Sequence, residues 1–361
     1  MQEVKIMHTK LFIPGPVEVT PEVLAKMATP MIGHRSKSAT ELQKSISGKI
    51  QKVFYTENTV VLSTSSGSGL MEAAIRSCTG KKAAVFSIGS FGERWYKMAV
   101  TNGRDADIFR VDNGQATPAD EVDKVLATGN YDVVTITHNE TSTGVMNPIA
   151  DIAAVIKKYP DVVFLVDTVS SMGGTYIPVD ELGIDVCITS TQKALGLPPG
   201  MSVASVSEKA YQRAQTVENR GLYFDLVSLV KKARDKYQYP STPSIAHMFA
   251  LDYALDQMLA EGLDNRYARH IEMAEYTRDW ARKYFAIFPD ERYLSNTLTC
   301  VDNTRGISVA DLNAKLTQRG MCISNGYGDL KEKTFRIAHM AECTLDDIKE
   351  VTGNIVDILG L

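Results

Sequence analysis

The chain has 361 residues, 44% of them hydrophobic and 23% charged, and a formal net charge of -4. That make-up is ordinary for a folded protein and long for a single core, and it gives no electrostatic reason to expect nucleic acid or an anionic membrane as a partner. No stretch is long and apolar enough to span a bilayer, so no membrane association is expected.

Residues 1–10 mix charged and apolar side chains and lack a signal-peptide core. The five cysteines are scattered, odd in number and without zinc-like or redox spacing, so reduced thiols in the cytoplasm are expected. From about residue 60 to 207, short β-branched runs at 59–62, 83–88, 133–137, 162–166, 186–189 and 202–206 alternate with helical patterns such as 69–76 and 151–158. Continuous apolar runs are strands buried on both faces, and the alternation predicts an α/β fold with a mostly parallel, doubly wound sheet. After a Pro-rich break at 237–244 the pattern changes to long amphipathic helices and then to strands near 296–301 and 334–338. The expected division is an N-terminal segment 1–20, a large domain 21–245 and a smaller C-terminal α+β domain 246–361.

Ligands collect at the carboxyl ends of strands in such sheets. A Gly/Ser loop at 63–72 follows one strand and opens a helix, a setting that can hold a phosphate on free amides; a plain turn is the alternative. Phe91 leaves another strand end between Gly89 and Gly92, where it can stack on a flat ring or simply pack. Residues 137–144 bring a cluster of hydrogen-bonding groups, including His138 and Thr141, to a third strand end; a solvated loop is the alternative. The run 162–167 ends in Asp167, and the strand at 186–189 leads to Lys193 in a turn too rich in Gly and Pro to continue as a helix. A lysine among apolar groups loses pKa readily and can form a Schiff base with a carbonyl, and an acid can pair with a pyridinium nitrogen. Taken alone, Lys193 would read as a surface lysine after an edge strand.

Together these motifs resemble class V, fold type I, aminotransferases that use pyridoxal 5'-phosphate, most closely the serine/alanine–glyoxylate branch. The resemblance rests on residues 12–16, the Gly/Ser loop, 139–144, 166–174, 190–200 and 335–338. It implies that Lys193 binds the cofactor covalently and moves protons, that Asp167 pairs with the ring nitrogen, and that Ser68, Gly69, Leu70 and Gln192 surround the phosphate. Phe91 would stack on the ring, Thr141 would sit near its phenolic oxygen, and Val169 beneath it. Tyr239 and Thr242 would reach the phosphate of a neighbouring subunit, which implies a homodimer with shared sites. Arg336 would clamp the substrate carboxylate, with Gly15, His34 and Arg35 also on the substrate side. The implied reaction moves an amino group between a small amino acid, serine or alanine, and a small 2-oxo acid, glyoxylate or pyruvate, by a ping-pong sequence.

The His34–Arg35 pair also resembles a phosphate-contacting loop of phosphoserine aminotransferases, which keeps O-phosphoserine and 2-oxoglutarate as an alternative pair; a structural ion pair at a dimer interface is a further reading of Arg35. A lyase or desulfurase using the same cofactor is a third possibility. The six histidines show no metal spacing.

Overall fold

The computed structural model describes residues 8–361. Its strands in chain order are β1 (Lys10–Phe12), β2 (Thr59–Ser63), β3 (Ala83–Ser87), β4 (Ala106–Arg110), β5 (Val133–Thr137), β6 (Asn139–Glu140), β7 (Val145–Met146), β8 (Val163–Asp167), β9 (Val186–Ser190), β10 (Ser202–Val206), β11 (Ala286–Ile287), β12 (Leu298–Asp302), β13 (Met321–Asn325) and β14 (Thr334–Ala338). Seven of them form one sheet in the order β2-β10-β9-β8-β5-β3-β4.

The uninterrupted apolar runs have a simple cause. Along β8, Val163 and Leu165 enter one core while Phe164 and Val166 enter the other, and β3 and β5 divide in the same way. The central strands are covered by helices on both faces, so both sets of alternate positions are mostly apolar. Every fully buried Leu, Ile or Phe adds about 1.5–3 kcal/mol by leaving water.

One strand departs from the parallel pattern. β10 runs antiparallel to both neighbours, β2 and β9. The connection from Ser190 to Ser202 contains turns and no helix, and a parallel return needs a crossover of a dozen or more residues. All other pairings in this sheet are parallel.

The second sheet has the order β1-β13-β14-β12-β11. β1, read from sequence as part of a separate N-terminal segment, adds parallel to β13 and so joins the C-terminal sheet. The helix Ile245–Glu261, placed by the sequence pattern in the small domain, buries Ile245, Met248, Leu251, Leu255 and Met258 in the large-domain core instead. Its apolar face is matched by the helix Lys37–Phe54, which offers Ile46, Ile50 and Val53. The helix Leu263–Tyr284 then crosses to the second sheet, where Met273, Trp280 and Ala281 share an apolar core with Phe12, Phe335 and Ile337. The last helix, Leu345–Leu359, begins in a capping box between Thr344 and Asp347, which satisfies amides at both positions.

Candidate active site

Four strand ends of the large sheet, those of β2, β3, β8 and β9, meet at one place. β8 ends on Asp167, whose Oδ1 accepts the Val169 amide at 2.8 Å. β9 ends on Ser190 and turns into Lys193, which donates its Nζ to the Pro14 carbonyl. The backbone of Gly15 is pressed against that side chain: a Cβ there would lie 2.7 Å from Lys193 Nζ. Gly15 has φ +120°, a region that suits glycine. β1 and the small sheet therefore deliver the chain segment that closes one side of the lysine.

Burial lowers the Lys193 ammonium to about 8, with Asp167 opposing that shift. Burial raises the Asp167 carboxyl to about 6, partly offset by the Val169 amide, so at neutral pH it is mostly ionised. The two groups feel each other's charge, in keeping with a site that holds an acid and an amine at its two ends.

β2 leads into the helix Gly67–Cys78, whose N-cap is Ser66 with its hydroxyl unused by the helix. The Gly67 amide donates to Ser190 Oγ at 3.2 Å, and a Cβ on Gly67 would strike Val169 at 2.7 Å. Ser68 lies in this first turn and accepts from Arg94 Nη1 at 2.8 Å. The Leu70 side chain is 1% exposed and belongs to the apolar core under the helix, so any part Leu70 has at the helix start falls to its backbone. A Cβ on Gly69 would meet Ser65 and Phe224, on the side away from Val169. Ser66, Gly67 and Ser68 form the N-cap and first positions of this helix. Gln192 Oε1 accepts from Ser190 Oγ at 2.5 Å, which ties the lysine turn to this same helix start.

Phe91 follows β3 and opens the helix Ser90–Thr101, whose N-cap Gly89 has no side chain to cap it. Glu140, on β6 just beyond the end of β5, takes that role. Its Oε2 accepts the amides of Phe91 at 2.9 Å and Gly92 at 3.3 Å, and its Oε1 accepts Ser142 Oγ at 2.6 Å. Burial pushes the Glu140 carboxyl up, against the pull of these donors. The Phe91 ring is flanked by the Arg94 guanidinium at 4.6 Å and the Tyr327 ring at 6.0 Å.

Arg336, on β14, donates Nη1 to the Thr141 carbonyl at 2.9 Å and Nη2 to the Asn325 carbonyl at 2.9 Å. Tyr327 lies 5.6 Å over its guanidinium. Burial lowers its pKa, yet a guanidinium stays charged. Its partners are carbonyls, so a carboxylate can still pair with it. Arg266 is fully buried and donates to the carbonyls of Gly173 at 2.9 Å and Ala194 at 3.0 Å while pairing with Glu261 and Glu342. It fixes the turns that follow Asp167 and Lys193 to one another.

Arg35 and His34 do not join this group. Arg35 Nη1 donates to the Tyr239 carbonyl at 2.6 Å, and Nη2 to those of Pro240 at 2.9 Å and Ser241 at 3.1 Å. Arg35 thereby holds the segment carrying Tyr239 and Thr242. His34 is half-buried beside it. Tyr239 is buried with its ring edge to Tyr223, centroids 6.4 Å apart, and Thr242 is exposed. His138 is buried and held below its ordinary pKa, at about 4, with Nδ1 2.9 Å from Ser171 Oγ; it stays neutral and structural.

A lowered lysine, an ionised acid at a neighbouring strand end, a phosphate-ready helix start and an aromatic shelf fit pyridoxal 5'-phosphate. The glycines at 15 and 67 let their backbones pack directly against Lys193 and Val169, two of the side chains that would hold it. The fold and site thus define a cofactor-dependent group-transfer enzyme of the pyridoxal-phosphate class. The family description Aminotransferase class-V matches residues 20–345, and the chain belongs to that family. It is 39% identical to an uncharacterized aminotransferase of Methanocaldococcus jannaschii, over 92% of this chain and 88% of the relative. It is 31% identical to a serine–glyoxylate aminotransferase of Arabidopsis thaliana, over 91% of this chain and 85% of that protein. The solved structure of an alanine–glyoxylate aminotransferase from Nostoc sp. superposes with a TM-score of 0.94 at 26% identity, covering 99% of this chain and 97% of that one.

Proposed function

We propose that this enzyme moves the amino group of serine or alanine onto glyoxylate or pyruvate, working as a cytoplasmic homodimer. Arg336 carries the substrate reading. It is a desolvated guanidinium with only carbonyl partners, set at the same site as Lys193 and roofed by Tyr327. One such fork suits the α-carboxylate of one small acid. The names of the serine–glyoxylate and alanine–glyoxylate relatives point the same way.

When bound, pyridoxal phosphate supplies an electrophilic carbon and an electron-withdrawing ring that stabilises charge developing at the amino-acid α-carbon. Asp167 holds a negative charge where the ring nitrogen would be protonated, and so keeps the ring electron-poor. Arg336 orients the substrate by its carboxylate. Lys193 Nζ, neutral above about pH 8, would take the α-proton of the amino donor and pass it to the cofactor's reacting carbon, and would run the same transfer in reverse for the incoming oxo acid.

The phosphoserine alternative rests on His34 and Arg35, and Arg35 makes its hydrogen bonds to the Gln238–Ser241 segment rather than to a residue around Lys193. A desulfurase needs a reactive thiolate, whereas burial raises the thiols of Cys78, Cys187, Cys300, Cys322 and Cys343 alike. The homodimer is supported by the resemblance at Tyr239 and Thr242 and by apolar side chains turned outward nearby, Leu222 being 92% exposed. A reducing compartment agrees with five cysteines that form no disulfide.

The deciding experiment is a matrix of half-reactions. The loaded enzyme is mixed with L-serine, L-alanine, L-aspartate or O-phosphoserine, and cofactor absorbance is followed, then glyoxylate, pyruvate or 2-oxoglutarate is added. Serine or alanine with glyoxylate or pyruvate should be fastest; a preference for O-phosphoserine with 2-oxoglutarate would overturn the proposal.

A further inference from the structure

We infer that Arg94 is the cation that neutralises the cofactor's phosphate. The inference rests on the pyridoxal-phosphate site described above and concerns a residue that neither the motifs nor the resemblance singled out. Arg94 lies at the start of the second turn of the helix Ser90–Thr101, next to the ring shelf. Its Nη1 donates to Ser68 Oγ at 2.8 Å, at the start of the helix Gly67–Cys78. Its guanidinium covers the Phe91 ring at 4.6 Å. One side chain thus joins the phosphate end of the site to its aromatic shelf.

Charge balance gives the contact its meaning. A phosphate ester brings about -1.5 to -2 charges at neutral pH. Ser66, Gly67, Ser68 and Gln192 at the helix start are all uncharged, and the helix dipole supplies only about half an elementary charge. Burying a doubly charged anion against neutral donors is costly without a counter-ion. Arg94 is the cation in contact with that group. Among the described residues no carboxylate pairs with it: the adjacent Glu93 is engaged by Arg110 at 2.6 Å, and Glu72 by Arg76 at 3.5 Å. Its field reaches the reacting end as well, since it helps to lower the Lys193 ammonium and to hold down the Asp167 carboxyl. A guanidinium on a phosphate also has the right shape, because its planar donors match the oxygens in pairs.

The test compares two ligands that differ only in the phosphate. The full-length protein, stripped of cofactor, is titrated with pyridoxal 5'-phosphate and with pyridoxal, following the visible absorbance of each complex. R94Q should raise the Kd for pyridoxal 5'-phosphate by about 10- to 100-fold, the loss expected for one hydrogen bond to a charged group, while the Kd for pyridoxal changes less than about 3-fold. Equal weakening of both ligands would mean that Arg94 only supports the Phe91 shelf, and an unchanged Kd for the phosphorylated ligand would mean that it does not meet the phosphate; either overturns the inference. Circular dichroism checks that R94Q folds. Should it not fold, R94K keeps the charge without the planar fork and carries the same test: a rise of about 3- to 10-fold confined to the phosphorylated ligand supports the role, and equal effects on both overturn it. If the unaltered protein captures neither ligand, it is the cofactor assignment that falls, which separates the two failures.

Discussion

Gly15 and Lys193 touch although 178 positions separate them in the chain: a Cβ on Gly15 would sit 2.7 Å from the lysine Nζ and Cδ and 2.8 Å from Cε. The obstructed atoms are the flexible end of a side chain, so a methyl group there displaces the lysine more readily than it breaks the fold. Gly15→Ala should therefore cost only about 1–2 kcal/mol of stability, from the φ of +120°, while turnover falls at least about 10-fold. Urea unfolding and steady-state kinetics on the same preparation check both halves. A variant with unchanged turnover would show that Lys193 works from another position.

Lys193 also sets a pH dependence. The neutral amine is the form that attacks an aldehyde, and burial brings its pKa down to about 8. Capture of pyridoxal phosphate by the cofactor-free enzyme should accelerate as pH rises and level off above about 8. An ordinary lysine would keep gaining up to about 10.4. Stopped-flow absorbance at a series of pH values reads the midpoint directly, and a midpoint near 10 would contradict the buried setting.

Glu140 and Phe91 make a second test. The carboxylate accepts two amides at the start of the Phe91 helix and the Ser142 hydroxyl. Glu140→Ala leaves these donors buried without partners, at about 1–3 kcal/mol each. A loss of about 2–5 kcal/mol in urea unfolding is expected, with weaker cofactor binding as the Phe91 shelf loosens. Glu140→Gln, which retains one acceptor oxygen, should fall between Ala and the native residue. Equal stability of all three would remove the capping role.

For Arg336 the expected effect lies in substrate affinity. Arg336→Lys keeps a positive charge but loses the fork, so the KM for the amino donor should rise by about 10- to 100-fold, with a smaller change in cofactor Kd. A loss confined to cofactor binding would place the guanidinium elsewhere in the mechanism.

Much of this arrangement can be read from the chain because it is local. The buried strands announce themselves by runs such as 162–166, whose residues serve two cores in alternation. Asp167 and Lys193 stand out as charged groups ending such runs. The helix start at Gly67 was harder: Ser63, Ser65, Ser66 and Ser68 are all plausible caps, and a run of interchangeable caps does not define a register. Contacts between distant segments were invisible in principle. Arg35 meets the Tyr239 carbonyl across 204 positions, and Arg266 holds Ala194 across 72. Glu140 had a signal, being a lone acid in an otherwise neutral strand end, but nothing local shows that it caps a helix 49 residues away. The reversal of β10 followed from a connection too short for a crossover, a clue that was present in the spacing of the runs.

The central claim, that Lys193 is the group that holds the cofactor, is tested most directly by chemical trapping. The loaded enzyme is reduced with borohydride, digested and analysed by mass spectrometry. A phosphopyridoxyl group should be found on the peptide containing Lys193 and on no other lysine, and Lys193→Ala should carry none. Label on a different lysine, or an unlabelled Lys193 in a protein that has bound the cofactor, would contradict it.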